Sequence, residues 1–376
     1  MKEGKKPKIL LLADYSNFHA TLAKGLRRLG CEVTLVSDGG TYMMCERDID
    51  ISRRYDSKVG GLLHAINLYL TLKRKIKEFD IVSFRDPAFL NLKPDRIRWF
   101  FNQITSSNSN FFLSYLTTDI PFLNMLERED SPLRYSEWFV EGRPNRLRIE
   151  DEAQWEGWHS KPMRQLNDLF YSRMKGAVTA LYEYHLAARS VFPEEKIAYG
   201  GIPIDLDEIS PQEIDRPKKI RIFLARDYRR KLQKGSDLME EVARRVVDRY
   251  PDKAEFVMIE NVPRSQYMDI MRSCHVLLDQ MYSYTPATTA LEGMASGLTV
   301  VSGAEPEFYE FIGEKENFPI VNASIHPELL EKSIEELVTH PNRMLERSRR
   351  GREFVTKHNH LEVVARRFLN FWLKNV

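Results

Sequence analysis

The run Lys8-Ile-Leu-Leu-Leu-Ala13 narrows the possible folds of this chain more than any other stretch. A nearly continuous apolar run, without polar alternation, is the pattern of a strand buried on both faces of a parallel sheet. Residues 14–18 are polar and turn-rich. Leu22, Leu26 and Leu29 then recur at helical spacing, and Gly30 is placed to end the helix. Residues 31–36 make a second strand, which closes a βαβ unit of about 30 residues. The alternation continues with a basic amphipathic helix over 61–79, strands at 80–84, 111–116 and 178–181, and a helix through 185–190. It starts afresh near residue 219, with strands expected at 220–225, 255–259, 275–279, 299–302 and 319–321. Ser236 is placed to cap a helix over 237–249. A last helix over 361–373 carries Val364, Phe368 and Trp372 on one stripe.

The pattern predicts an α/β chain of two doubly wound, Rossmann-like blocks. The length of 376 residues fits two domains at about 150 residues each. The boundary is expected in residues 203–217, where Pro203, Pro211 and Pro217 stand among Asp205, Asp207, Glu208 and Glu213. Residues 119–165 read as irregular, with Trp138, Trp155 and Trp158 set among charges: a functional lid, a partner surface, or packed helices.

Charge and cysteine content exclude several function classes. With 56 basic and 54 acidic residues, the net charge of +2 argues against a surface built for nucleic acid. Three widely spaced cysteines, Cys31, Cys45 and Cys274, rule out a disulfide scaffold and a cysteine zinc site, and fit a reducing compartment. The apolar run after the basic N-terminus is too short for a signal-peptide core. No run approaches the length of a membrane span. The expectation is a cytoplasmic protein.

Ligands of open α/β sheets bind at the carboxyl ends of strands, so the residues just past each strand are the candidates. After the first strand, the loop with Ser16, Asn17 and His19 leads into a helix whose amides can receive an anion; its other reading is a helix cap by Ser16 or Asn17. It lacks G-x-G-x-x-G, which speaks against a dinucleotide cofactor. After strand 220–225 comes the sharpest departure from neutrality: nine basic residues and one acidic between Arg216 and Lys234. There Arg226 and Lys234 can clamp a diphosphate, the first with a fork of donors and the second as a point charge, with Gly235 allowing close approach. After strand 275–279, Ala287, Thr288 and Thr289 open a helix that can bind phosphate oxygens. Glu292, one turn in, suits two ribose hydroxyls. After strand 111–116, Asp119 is either a group acting on an acceptor hydroxyl or a cap before Pro121. Arg85-Asp86-Pro87 carries the same two readings.

These residues carry a resemblance. The N-terminal strand–loop–helix, the segment Gly200-Gly-Ile-Pro-Ile-Asp205, the pair Lys234-Gly235 and above all Ala290-Leu-Glu-Gly-Met-Ala-Ser-Gly297 are similar to retaining glycosyltransferases of the GT-B type, family 4. The resemblance implies two Rossmann-like domains facing across a cleft: residues 1–205 for the acceptor, with a C-terminal helix over 358–376 crossing back, and 206–357 for the donor. It implies a nucleotide-diphosphate sugar as donor and a saccharide or lipid-linked saccharide as acceptor, with no cofactor and no metal. Glu292 matches the second glutamate of the family's E-x7-E element. The first falls at Tyr284, at the place of a sugar contact. Lys234 matches the diphosphate lysine. Its arginine partner is Arg226 by position or Arg229 by spacing, with Arg226 preferred. Asp119 falls at about the place of the family's N-terminal catalytic histidine, and His19 is a second candidate.

Two rival readings remain open. A glycosyltransferase-like protein that only binds a nucleotide sugar or a partner is suggested by Tyr284. A nucleotide-sugar epimerase or dehydrogenase is suggested by Tyr171-x-x-x-Lys175, without the glycine motif. Basic and aromatic residues interleave over 93–101, and Lys73, Arg74, Lys75 and Lys77 cluster nearby. That surface reads as ordinary amphipathic helix or as peripheral contact with an anionic membrane at its inner face.

Overall fold

A computed structural model describes residues 6–39, 45–55, 57–212 and 217–376. The chain divides into two compact units. The first runs to Met125 and takes in Ala153–Pro203 and Leu361–Val376; the second comprises Leu126–Glu152 and Ile204–His360.

The first unit is built on a seven-stranded parallel sheet. Its strands are β1 (Lys8–Leu12), β2 (Glu32–Ser37), β3 (Ile49–Asp50), β4 (Ile81–Phe84), β5 (Phe111–Tyr115), β8 (Ala177–Thr179) and β9 (Ile197–Tyr199), in the order β3-β2-β1-β4-β5-β8-β9. Between β5 and β8 the chain makes the short antiparallel hairpin of β6 (Phe139–Val140) and β7 (Arg143–Pro144), which belongs to the second unit. β1, β4 and β5 are buried along nearly their whole length, as uninterrupted apolar runs require. The first crossover helix, Phe18–Arg28, buries Phe18, Leu22 and Leu26. The C-terminal helix Leu361–Asn375 packs against it, so close that a Cβ on Gly25 would stand 2.6 Å from the Leu361 carbonyl oxygen.

The second unit carries a five-stranded parallel sheet of β10 (Ile220–Arg226), β11 (Ala254–Glu260), β12 (Val276–Leu278), β13 (Thr299–Ser302) and β14 (Val321–Asn322). Its order is β11-β10-β12-β13-β14. The chain reverses its direction of travel across the sheet between β10 and β12, which makes that gap the topological switch point. Ile222, Leu224, Val276, Leu278 and Val301 of the sheet pack with Met239, Val242 and Val246 of the helix Ser236–Arg249 and with Leu330 and Ile334 of the helix Pro327–Thr339.

Three readings are sharpened here. Of the alternatives for residues 119–165, packed helices hold for most of the stretch: helices Ile120–Glu127, Arg146–Glu150 and Glu152–His159, the β6–β7 hairpin and the start of the helix Lys161–Tyr171 lie there, while 128–138 stay outside any helix or named strand. These elements are short, and Pro121 and Pro162 sit in first helical turns, where a missing N–H costs nothing but the apolar period is interrupted. Ser236 is the first helical residue rather than the cap; Gly235 holds the preceding left-handed position, at φ 67°. The proline-rich stretch after residue 203 is packed onto the second unit. Ile204 donates to the Asn359 carbonyl, Arg352 donates to the carbonyls of Leu206 and Ile209, and Gln212 donates to that of Cys274. Residues 213–216 of that stretch, Glu213 and Arg216 among them, lie outside the described residues.

Candidate functional site

In the second unit the loops after β10 and β12 meet at the switch point. The loop after β10 makes a short turn, Tyr228–Arg230, then the single helical turn Lys231–Lys234, and reaches Gly235. A Cβ on Gly235 would stand 3.0 Å from both Met281 Sδ and Tyr282 Cε2, so both the left-handed backbone and the contact with the β12 loop require glycine. Met281 N–H donates to the Lys234 carbonyl at 2.9 Å. Lys234 Nζ donates to Asp279 Oδ1 at 2.7 Å, and Ser302 Oγ donates to Asp279 Oδ2 at 3.2 Å. The Asp279 side chain is wholly buried. It therefore fixes the ammonium across the gap between β10 and β12. One of the three Nζ donors is used on it.

The helix Thr288–Ala295 starts just after this loop, behind the extended residue Ala287, with Thr288 and Thr289 half-buried in its first turn. Its Gly293 lies against β12, where a Cβ would meet Leu277 Cδ2 at 2.4 Å. This close seating turns Glu292 into a buried position. Arg264, at the start of the helix Arg264–Arg272, clamps the Glu292 carboxylate from one side, with Nη2 at 2.6 Å and Nη1 at 3.3 Å. A carboxylate offers about four lone-pair directions. Arg264 takes two and leaves two.

Part of the basic excess is spent within the fold. Arg226 donates through Nε to Glu260 at 2.5 Å and through Nη1 to Glu240, and Arg221 pairs with Glu255 at 2.6 Å. Arg226, the preferred arginine partner of Lys234, is thus held by two carboxylates. Arg229, the alternative by spacing, is two-thirds exposed and lies 3.5 Å from Asp227. The register β10–β11 puts Arg226 directly beside Glu260, a pairing that no local charge count reveals.

Tyr284 is also differently placed from its expected role. It is buried, and its hydroxyl accepts from the Arg134 N–H at 2.7 Å. The Arg134 guanidinium stands 5.3 Å from its ring centre, and the Tyr135 ring lies 4.9 Å from it. Burial pushes the Tyr284 phenol up to about 12. Arg134 also pairs with Glu305 at 2.6 Å and with Glu307, while Tyr135 Oη donates to Glu305 at 2.6 Å. Arg146 reaches Asp237 at 2.6 Å. The segment Leu126–Glu152 is therefore a strap on the second unit, tied to the start of the helix Ser236–Arg249 and to the residues after β12 and β13. Sequence reading missed Asp279, Arg264 and Arg134. Asp279 had a signal, an acidic residue closing the apolar strand Val276–Leu278; the other two are brought in by tertiary packing.

In the first unit the candidate groups are enclosed. The Asp14 carboxylate accepts from the N–H groups of His19 at 2.9 Å and Ala20 at 3.1 Å. An internal anion thus holds the start of the helix Phe18–Arg28, where an external one was expected. Asn17 is left-handed with no side-chain cap, and Ser16 is left-handed as well. His19 is fully buried, with Nδ1 2.5 Å from the Ala13 carbonyl and Nε2 2.9 Å from Ser114 Oγ, and burial lowers its pKa. Arg85 joins Asp86 at 2.6 Å to the Asp14 carbonyl at 3.0 Å.

Asp119 is fully buried. It accepts from the Phe122 N–H at 3.1 Å and from the hydroxyls of Tyr115 and Tyr171. It caps the helix Ile120–Glu127 and presents no face to an acceptor in this structure. The same bond removes Tyr171 from any pairing with Lys175, whose Nζ donates to Asn110 at 2.6 Å. Burial pushes the Asp119 carboxyl up to about 7, against the lowering effect of its three donors. Because the folded pKa lies above the unfolded one, the folded chain binds more protons in that window. The stability this group contributes is then full below about pH 4 and falls as pH rises through about 7. Melting followed from pH 4.5 to 8 should show this loss, and Asp119→Asn should flatten it. An unchanged slope in the variant would contradict the assignment.

Among the described residues, no three His, Cys, Asp or Glu side chains gather so as to hold a metal ion. Asp48 accepts from Arg27 and from the Leu35 N–H, and Asp50 pairs with Arg47. No helix among them is long and apolar enough to cross a membrane.

Known proteins share the fold. Residues 223–370 match a family model described as glycosyl transferase-like. That span contains Arg226, Lys234, Asp279, Tyr284 and Glu292. No curated protein sequence matches the chain. Solved structures match over nearly its full length. HepE of Anabaena, in complex with UDP and glucose, aligns over 98% of this chain and 100% of that one, at 9% identity and TM-score 0.59. Sucrose-phosphate synthase of Thermosynechococcus elongatus aligns over 98% and 99%, at 12% identity and TM-score 0.59. UDP-GlcNAc 2-epimerase of Neisseria meningitidis, bound to UDP-GlcNAc, aligns over 98% and 100%, at 9% identity and TM-score 0.52. At these identities the likeness is one of fold: two Rossmann-like units of GT-B type, as expected.

Proposed function

We propose that the chain transfers a sugar from a nucleotide-diphosphate sugar to a hydroxyl acceptor, with retention, in the manner of family 4. The observation that carries this reading is the Lys234–Asp279 pair at the β10–β12 switch point, beside the amide-rich start of the helix Thr288–Ala295. The family match over 223–370 and the UDP held by HepE support it. In this reading the diphosphate lies against Lys234 and the helix amides, and the ribose hydroxyls take the two open directions of Glu292. As the bond between the anomeric carbon and the phosphate oxygen breaks, negative charge grows on the leaving diphosphate, and Lys234 and the helix amides stabilise it. The acceptor oxygen attacks from the same face, and its proton passes to the departing phosphate. The scheme calls on no metal, no cofactor and no strong enzymic base. The acceptor is a saccharide or lipid-linked saccharide, and the working site is the cytoplasm or the inner membrane face.

A second reading is favoured by one observation. Tyr284, at the place of the family's sugar-contacting glutamate, is covered by Arg134 and Tyr135 of the strap. A chain closed there binds the nucleotide without turning the donor over. Incubation with a panel of nucleotide sugars, with and without saccharide acceptors, separates the two. Release of nucleoside diphosphate with transfer or hydrolysis supports the enzyme. Binding without release supports the second reading. A changed sugar on an intact nucleotide would make it an epimerase and overturn both.

A further inference from the structure

The helix Lys58–Lys75 of the first unit is 18 residues long, yet only Gly60 and Leu68 are buried in it. Val59, Leu62, Leu63, Ile66 and Leu70 fall on one face by their spacing, and they stand 41–68% exposed. The neighbouring helix Pro94–Ser107 adds Trp99, 45% exposed, with its ring 5.7 Å from that of Tyr69. Scattered exposed apolar side chains need no explanation, but a contiguous stripe marks a surface that is covered in use.

Charge says what covers it. Residues 58–77 carry Lys58, Lys73, Arg74, Lys75 and Lys77 and no acidic residue. Lys73, Arg74 and Lys75 are exposed at the end of the helix. On the adjacent helix, Asp95 is paired with Arg98 at 3.2 Å. An apolar stripe flanked by cations, with an indole at its edge, suits an interface that is apolar inside and anionic at its surface. We propose that this face docks on anionic lipid, with the helix lying in the plane of the headgroups. The apolar stripe supplies insertion and the cations supply attraction, the two signals that stable peripheral binding needs. The docking stands apart from the donor reading, since it uses only residues of the first unit.

The test is flotation of the full chain with vesicles of phosphatidylcholine containing phosphatidylglycerol, and with phosphatidylcholine alone. The chain should float with the anionic vesicles, come off in high salt, and stay behind with the neutral ones. Leu62→Ser/Leu63→Ser/Ile66→Ser and Lys73→Gln/Arg74→Gln/Lys75→Gln should each weaken binding about tenfold or more. All six side chains are exposed, so both variants should melt as the parent does. The Trp99 emission, isolated by difference from Trp99→Phe, should shift to shorter wavelength on anionic vesicles. Absence of flotation, equal flotation with neutral vesicles, or a triple variant that floats like the parent would overturn the proposal. So would a dimeric parent that the serine variant turns into a monomer, which would make the stripe a seam between copies. Nucleotide binding measured on the same variants keeps a failure here distinct from a failure of the donor site.

Discussion

Lys234→Ala should lower donor turnover by about 10²–10³-fold, the usual cost of losing one preorganised group aimed at developing charge. The loss has two sources, and they are separable. One is the missing contact with the diphosphate. The other is structural, because the Asp279 side chain is wholly buried and Lys234 is its cation. Removing one partner of a buried pair costs about 3–5 kcal/mol, since the remaining charge stays uncompensated. Here Ser302 still donates to Asp279, which trims that figure. The double variant Lys234→Met/Asp279→Asn removes the orphan charge, so its melting temperature should return towards that of the parent while its turnover stays lost. Lys234→Arg keeps a cation for Asp279 and should retain partial turnover. Recovery of activity together with stability in the double variant would reduce Lys234 to a structural role.

Glu292→Gln should weaken nucleotide binding by about 10²-fold, in keeping with hydrogen bonds to a charged acceptor worth about 1.5–3 kcal/mol each. The amide keeps the shape of the side chain but replaces one acceptor oxygen with a donor. Arg264 would then face an N–H₂ group with its guanidinium, or turn the amide so that a ribose hydroxyl does. Either way the two open directions are no longer both acceptors. A sharper readout is discrimination. The parent should prefer a ribonucleoside diphosphate to its 2′,3′-dideoxy analogue, and Glu292→Gln should lose that preference. Arg264→Ala should reduce affinity less, because the guanidinium orients the carboxylate without touching the nucleotide. Equal preference in parent and variant would remove Glu292 from the ribose site.

The residues behind these two expectations are legible in the sequence to different degrees. The sheets are readable because strands buried on both faces leave apolar runs, as over 9–12 in β1 and 222–225 in β10. Lys234, Gly235 and Glu292 stand out because each lies just past such a strand or opens a helix, so position along the chain implies position on the sheet. Arg226 shows where that logic stops. Its place at a strand end is correct, but Glu260 on the neighbouring strand and Glu240 on the crossover helix hold its side chain. Neither partner is near in sequence. Asp119 lies just past a strand and His19 opens a helix, yet Tyr171, far along the chain, and Ser114, across the sheet, enclose them. The strap is the least legible part. Its elements are too short to show a period, and Arg134 and Tyr135 take their role from Tyr284 and Glu305, which are 150 and 170 residues away. Its charges look solvated in the sequence, whereas several of them are tied to the loops of the second unit.

The whole functional reading depends on the β10–β12 switch point holding a nucleoside diphosphate. Calorimetric titration with nucleoside diphosphates and monophosphates of each base decides this, on the parent, Lys234→Ala and Arg226→Ala. One base should bind the parent, with the diphosphate well ahead of the monophosphate. Lys234→Ala should erase that advantage, whereas Arg226→Ala should largely keep it, because the arginine it removes is already held by two carboxylates. Failure of every diphosphate to bind the parent, or undiminished binding by Lys234→Ala, would contradict a diphosphate site at the switch point.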